Sequence, residues 1–210
     1  MKAAIFEKPG IENLKIKHDV EQPKIADHDV LIRVKMAGVN PLDHVIISGT
    51  REIKPLTHIP GAETSGEIEK VGEHVTRLKE GDRVIVYNRV FDGTCDMCLN
   101  QSEMLCRNGG ALNTNIIGLI INGGFAEYIA VPEKNVFKIP DNMQSELATS
   151  IPVTTLTPYH ALKQAALKID EFLVVFGASG NTGMMPTHLG KKMGAKVISK
   201  DNWIKDFRIV

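Results

Sequence analysis

The sequence predicts an α/β plus β fold class: a β-rich, barrel-like first portion followed by the opening of a doubly wound α/β sheet. Three observations predict it. The first 140 or so residues break into short runs rich in Val, Ile and Ala, punctuated by Gly, Pro, Asn and Asp. From Ser145 the apolar residues take up helical spacing. An uninterrupted apolar run at residues 172–176 then meets a glycine-rich turn, the pattern of a strand buried on both faces of a parallel sheet.

In chain order, strands are expected at residues 2–7, 14–20, 30–36, 66–71, 83–87, 126–131 and 136–139. Many short strands with irregular connections favour a closed or partly open barrel. Residues 145–167 carry Leu147, Ile151, Leu156, Tyr159, Leu162 and Ala166 at helical spacing, interrupted by Pro152 and Pro158. A kinked helix or two short ones is expected. After the strand at 172–176 and its turn, a helix should run to about Met193, closed by Gly194 in the position that follows a helix. Pro186, just inside the helix, should kink or shorten its first turn. A second strand at 196–199 completes one βαβ unit, and eleven residues remain after Ser199. Residues 201–207 read as the next helix, capped by Asp201 or Asn202.

Composition excludes several classes. The 210 residues are 43% hydrophobic and 24% charged, as in a globular protein rather than a disordered or fibrous one. Twenty-five basic residues balance twenty-five acidic ones, so no footprint for nucleic acid or an anionic membrane follows. The opening MKAAIFE is not a signal peptide, and no apolar run nears the roughly eighteen residues of a membrane span. A cytoplasmic location is the expectation. The three cysteines, Cys95, Cys98 and Cys106, lie within twelve residues. That odd count at short spacing argues against a disulfide framework and leaves metal binding, catalysis or plain thiols.

The turn at 177–183 carries chemistry. Gly177, Ala178, Ser179, Gly180, Asn181, Thr182 and Gly183 follow a strand and open a helix, the context of a dinucleotide fingerprint. The first glycine permits the tight turn, the second a close approach to pyrophosphate, and the third close helix–strand packing. The helix N-terminus offers free N–H groups and positive dipole to phosphate. A glycine-rich corner with no ligand is the bland alternative. At the end of the second strand stand Ser199 and Lys200, with Asp201 one step later. A cation there suits the 2′-phosphate of NADP, whereas an acid would favour NAD. NADP is the preferred cofactor and NAD remains possible.

Residues 38–43 (GVNPLD), the series Gly61, Glu63, Gly66, Gly72, Val75, Leu78, Gly81, Asp82 and Val84, the cysteine cluster and the βαβ unit together resemble the medium-chain dehydrogenase/reductase family. Its members are zinc-type alcohol dehydrogenases and quinone oxidoreductase-like enzymes. The resemblance runs from Met1 to about Phe207. It implies a GroES-like β-barrel catalytic domain at 1–168, including an interdomain helix, and an incomplete Rossmann domain at 169–210, with the active site in the cleft between them. Relative to that family the chain is expected to be C-terminally truncated, holding only the first βαβ unit.

In the zinc enzymes the catalytic metal is held by two Cys and one His, and the matching positions here are Asn40, Ala62 and Val153. Asn is a poor zinc ligand and Ala and Val are none, so no catalytic zinc is expected. His44 and His58 could be offered as substitutes, but ordinary surface or hydrogen-bonded histidines are preferred. Asn40-Pro41 is instead the form of the quinone-oxidoreductase-like branch, whose acceptors take hydride at carbon without the Lewis acid that a plain carbonyl needs. By resemblance, Asn40, Asp43 and Thr157 line the catalytic and cofactor cleft. Substrates implied are quinones, enones or alcohol/aldehyde pairs.

The family's structural zinc sits on four cysteines spaced by two, two and seven residues. Asp92, Cys95, Cys98 and Cys106 repeat that spacing with a carboxylate first, a plausible closed tetrahedral zinc site that would turn ligand binding into folding energy. Three reduced thiols on a loop are the alternative. Three functions remain open: an oxidoreductase-type polypeptide impaired by truncation, a zinc-stabilised binding or assembly protein with no enzymatic role, or a zinc alcohol dehydrogenase with other ligands. An apolar strand left as a sheet edge also predicts homo-oligomers through the incomplete Rossmann region.

Overall fold

The computed structural model describes residues 1–54, 56–109 and 115–201, and the backbone of 208–209. The chain divides into two compact units, Met1–Thr149 and Ser150–Val210.

The first unit is built on a five-stranded antiparallel sheet. Its strands, in chain order, are β3 (Asp29–Gly38), β4 (Glu63–Val71), β5 (Arg83–Val86), β6 (Tyr128–Pro132) and β7 (Val136–Lys138). Their spatial order is β6-β3-β4-β5-β7. A short hairpin of β1 (Ala3–Ile5) and β2 (Lys15–Lys17) precedes them, joined to the segment before β6 by the Ala4 N–H to Phe125 carbonyl bond of 2.8 Å. The strands of residues 2–7 and 14–20 are therefore shorter than expected, and the remaining ones lie where Val and Ile cluster. The period-two placement of side chains on a strand puts Val30, Ile32, Ile68, Val84, Val86, Ile129, Val131 and Val136 in one buried core. Each such burial stabilises by about 1.5–3 kcal/mol. Register shifts between Leu31 and Ile32 and between Val34 and Met36 bend β3 against β4, the usual means of curling a sheet.

Helix α1 (Pro41–Ile47) follows β3 directly, with Pro41 in its first turn where a missing N–H is harmless. It buries Ile46 and Ile47 against Phe6, Ile53, Ile116 and Leu119. A four-residue helix, α2 (Asp96–Leu99), belongs to the cysteine-bearing lobe. Helix α3 (Ser145–Thr149) closes the unit, tied to the sheet by a 2.6 Å hydroxyl bond between Ser65 and Thr149 and by Arg83, whose guanidinium donates to the Ser145 hydroxyl at 3.0 Å.

The second unit begins with a π-helical turn, Ile151–Thr155, and α4 (Leu156–Gln164). The interrupted helix read from residues 145–167 thus becomes three segments. Pro152 sits in the first turn of the π segment and Pro158 in the first turn of α4, so the breaks between segments fall where the two prolines stand. Leu162 is buried, but Leu147 and Tyr159 stay exposed.

Then come β8 (Phe172–Phe176), α5 (Asn181–Lys192), β9 (Lys196–Lys200) and the two-residue β10 (Arg208–Ile209). Strands β8 and β9 are parallel, Phe172 opposite Lys196 and Phe176 opposite Lys200, so the expected βαβ unit is formed. Gly194, at φ +86°, ends α5. The helix is not cut short at Pro186 but runs on to Lys192, and the Thr187 hydroxyl donates to the Gly183 carbonyl at 3.0 Å.

Burial of β8 on both faces is not what the structure has. Val175 is buried, but Phe172 and Phe176 are 67% and 72% exposed. Alternation returns because α5 covers only the face carrying Leu173 and Val175, where Gly190 lies against Leu173. Among the described strands β8 pairs with β9 alone. The helix expected at 201–207 falls, from residue 202, outside the described residues, and β10 returns antiparallel on β9.

Candidate metal centre, buried carboxylate cluster and glycine turn

Asp92, Cys95, Cys98 and Cys106 converge, with one ligand atom from each within 4.8 Å of all the others. The sequence achieves this locally. Cys95 precedes the first turn of α2 and Cys98 lies inside it, which brings their sulfurs to 3.6 Å. Across a tetrahedral zinc with bonds of about 2.3 Å, two sulfurs stand about 3.8 Å apart, so the pair already has the edge length that zinc requires. Cys106, fully buried, ends the following 3-10 turn, and its sulfur accepts the Asp92 N–H at 3.4 Å. Asp92 is oriented by its surroundings: Oδ1 accepts the Thr94 and Cys95 N–H groups at 2.7 and 2.9 Å, and Oδ2 accepts the Asn108 amide at 2.5 Å.

The electrostatics suit a cation. Backbone donation, from Cys95 first, holds the Asp92 carboxyl far below the usual range. Donation from Arg107 and Cys98 backbone groups holds the Cys95 thiol below its ordinary value, whereas burial pushes the Cys98 thiol up to about 12. A buried thiol of that kind ionises when a metal replaces its proton. Neither Asn108, beside Asp92, nor Lys134, which donates to the Asp92 carbonyl at 2.9 Å, was indicated by the spacing. Both supporting contacts come from outside the motif.

The second grouping lies at the start of α1. Asn40 is its N-cap in a capping box: the Asn40 N–H donates to Asp43 Oδ2 at 2.7 Å. The Asn40 side-chain amide donates to Glu63 Oε2 at 3.1 Å, and Asp43 Oδ1 accepts the Gly61 N–H at 3.1 Å. Asn40, Asp43 and Glu63 are all buried. Burial, ahead of the opposing backbone hydrogen bonds, raises the Asp43 carboxyl above the ordinary range. Ala62, between Gly61 and Glu63, is buried and offers no ligand atom. His44 is an exposed residue of α1. His58 is buried edge-on against Phe6 at 5.9 Å, and burial lowers its imidazole below the ordinary value. Asn40 and Asp43 are thus brought together in the first unit, with Glu63 as a partner the motif alone did not pair. Thr157 is an exposed residue of the first turn of α4, and Val153 is in the π-helical turn, both in the second unit.

The glycine turn has the geometry its residues require. Gly177 has φ +71°, open to glycine. A side chain at Gly183 would collide with the Gly177 carbonyl, so the third glycine is what lets α5 close on β8. The Gly177 and Ala178 N–H groups donate to the Lys200 carbonyl at 2.8 and 3.3 Å. The Ser179 N–H donates to Asp201 Oδ2 at 2.7 Å. Gly180 is the N-cap, and Asn181 and Thr182 are exposed in the first turn of α5, where helical N–H groups lack intrahelical partners. Ser199 and Lys200 are half-buried at the end of β9 beside the turn.

Among the described residues no helix is long and apolar enough to cross a membrane. The alcohol dehydrogenase GroES-like domain family matches residues 26–141. An alcohol dehydrogenase of Geobacillus stearothermophilus is 39% identical over 206 residues, covering 96% of this chain and 58% of that protein. A human quinone oxidoreductase is 32% identical over 196 residues, covering 92% of this chain and 50% of its own. A cobalt- and zinc-bound thermostable alcohol dehydrogenase from Pyrobaculum aerophilum superposes with a TM-score of 0.89 at 39% identity, over 95% of this chain and 59% of that one. The chain spans about half to three fifths of the length of these relatives. With a GroES-like barrel followed by a partial Rossmann unit, the chain belongs to the medium-chain dehydrogenase/reductase family through its alcohol dehydrogenase GroES-like domain.

Proposed function

We propose that this chain carries the site residues of an NAD(P)-dependent oxidoreductase of the quinone- or enone-reducing kind, with a structural zinc and no metal at the reacting centre. The observation that carries the proposal is the Asn40–Glu63 hydrogen bond. At the position where the zinc enzymes place a cysteine, a neutral amide donor satisfies a buried carboxylate. The side chains of Ala62 and Val153 contribute no ligand atom, so the residues do not fit a catalytic zinc.

Asn40, Asp43 and Thr157 are proposed as the residues bordering substrate and nicotinamide. Asn40 and Asp43 would hold the wall of the site rigid through the capping box, and Thr157 would offer a hydroxyl from α4. Gly177, Ala178, Ser179, Gly180, Asn181, Thr182 and Gly183, with Ser199 and Lys200, are proposed to hold the dinucleotide, the phosphates meeting the exposed first turn of α5. A bound nicotinamide would supply the hydride. Lys200 favours NADP and the neighbouring Asp201 favours NAD; NADP is retained as the first expectation. The proposed division is a catalytic domain at 1–168 and a Rossmann part at 169–210.

Asp92, Cys95, Cys98 and Cys106 would hold zinc with four protein ligands and no open position, a structural role. The uncovered face of Phe172, Val174 and Phe176 supports self-association through the second unit. Partners are otherwise small molecules, with no nucleic acid or membrane, in the cytoplasm. A second reading, a zinc-stabilised binding or assembly protein, is favoured by the first unit having its own core and metal-binding residues.

Calorimetric titration with NADPH and NADH, beside zinc analysis, tests the proposal. One zinc per chain, coenzyme binding and turnover of quinones or enones are expected. No heat at high coenzyme concentration would leave the second reading in place, and a second tightly held zinc would point to alcohol dehydrogenase chemistry.

A further inference from the structure

The turn between β8 and α5 has almost no side-chain packing of its own. Gly177, Ser179, Gly180, Asn181 and Thr182 are exposed and Ala178 is half-buried, and Gly177 has no atom within 4 Å of the place a side chain would occupy. Its shape is held by hydrogen bonds to the end of β9. The Lys200 carbonyl takes the N–H groups of Gly177 and Ala178, and the Asp201 carboxylate takes the N–H of Ser179, twenty-two residues away. Asp201 itself is buried. A carboxylate accepting a backbone N–H makes one of the stronger protein hydrogen bonds, and this one holds the residue just before Gly180, the N-cap of α5.

We infer that Asp201 is a positioning residue of the dinucleotide site. It anchors the Ser179 peptide from the neighbouring strand, so that Gly180 and the N–H groups of Asn181 and Thr182 are set for phosphate before any ligand arrives. The role rests on the reading of this turn as a nucleotide site. Its consequence is that part of the affinity for any pyrophosphate-bearing ligand comes from a residue whose described bond is to the turn. Preorganisation of this kind acts by lowering the ordering cost of binding. A carbonyl oxygen in the same place would serve nearly as well, because the task is to accept one N–H.

The test uses Asp201→Ala, which removes the acceptor, and Asp201→Asn, which keeps one, in the full chain. Amide exchange at Ser179 is read alongside calorimetric affinity for ADP and NADH. In Asp201→Ala, Ser179 exchange should quicken and both ligands weaken by about tenfold, the scale of one hydrogen bond to a charged group. Asp201→Asn should restore both to within about threefold of the native chain. Exchange at Val175 and Val197, in the two strands, should not change, which separates positioning from general loosening of the unit.

Unchanged Ser179 exchange in Asp201→Ala would overturn the inference, and so would an Asp201→Asn as weak as the alanine variant. If the native chain binds neither ADP nor NADH, the nucleotide reading itself fails and takes the positioning role with it. If both ligands bind equally to all three proteins, the positioning role alone fails.

Discussion

Replacing Asn40 with Ala tests the buried carboxylate cluster most directly. The substitution removes the amide that donates to Glu63 at 3.1 Å and the N-cap residue of α1. A hydrogen bond to a charged group contributes about 1.5–3 kcal/mol, and exchanging a good N-cap for Ala costs about 1 kcal/mol. The two losses share one side chain and do not simply add, so a destabilisation of about 3 kcal/mol is expected. For a chain of this size each kcal/mol lowers the thermal midpoint by roughly 2–4 °C, giving roughly 6–12 °C in all. Asn40→Asp provides the internal control. It keeps a capping residue but sets a second carboxylate against Glu63, so it should be destabilised at neutral pH. It should recover on acidification, as the pair comes to share a proton. Thermal scans across pH would check both. An alanine variant melting within about 2 °C of the native chain would refute the reasoning, as would an Asp variant that matches the native chain at neutral pH.

Cys106→Ser should abolish stoichiometric zinc binding and lower the melting point of the first unit, because the fully buried sulfur would hold one of four ligand positions; metal analysis with and without chelator checks it. His58, buried and held below the ordinary imidazole value, contributes stability that is present above its unfolded pKa of about 6.5 and lost as pH falls. His58→Gln should therefore flatten the decline in melting temperature between about pH 6.5 and pH 5. Phe176→Lys should shift sedimentation toward monomer at tens of micromolar protein, because Phe176 is 72% exposed on the uncovered face of β8.

The elements most legible in the sequence were those with two independent signals. Residues 172–176 and 196–199 combined apolar runs with a glycine turn between them, and β8, α5 and β9 fall there. The cysteine lobe was legible because its spacing is itself the geometry: a turn of helix between Cys95 and Cys98 fixes their sulfurs. Less could be read where pairing decides the outcome. Strand propensity at residues 14–20 does not reveal that only Lys15–Lys17 finds a partner. The apolar run of β8 says that both faces could be buried, not what covers them. The Asn40–Glu63 contact spans twenty-three residues and two elements, and the Ser179–Asp201 bond spans twenty-two. Neither has a local pattern, so each became visible only when the chain was folded.

Asn40 links the two buried carboxylates of the first unit, and that arrangement bears on which substrates the site can serve. Its backbone N–H goes to Asp43 and its side-chain amide to Glu63, while Gly61 supplies a further backbone donor to Asp43. Ionised groups in an interior need donors or a cation. These donors are neutral, fixed by the capping box and by the chain entering β4. A cation brought to Asn40 would have to displace the amide from Glu63 and would find no ligand atom on Ala62. On the proposed reading, polarisation of a substrate oxygen at this wall must then come from hydrogen bonds rather than from a metal. Such donors assist less than a Lewis acid, so acceptors that take hydride at carbon, with the charge spread over a conjugated system, are the ones this arrangement suits.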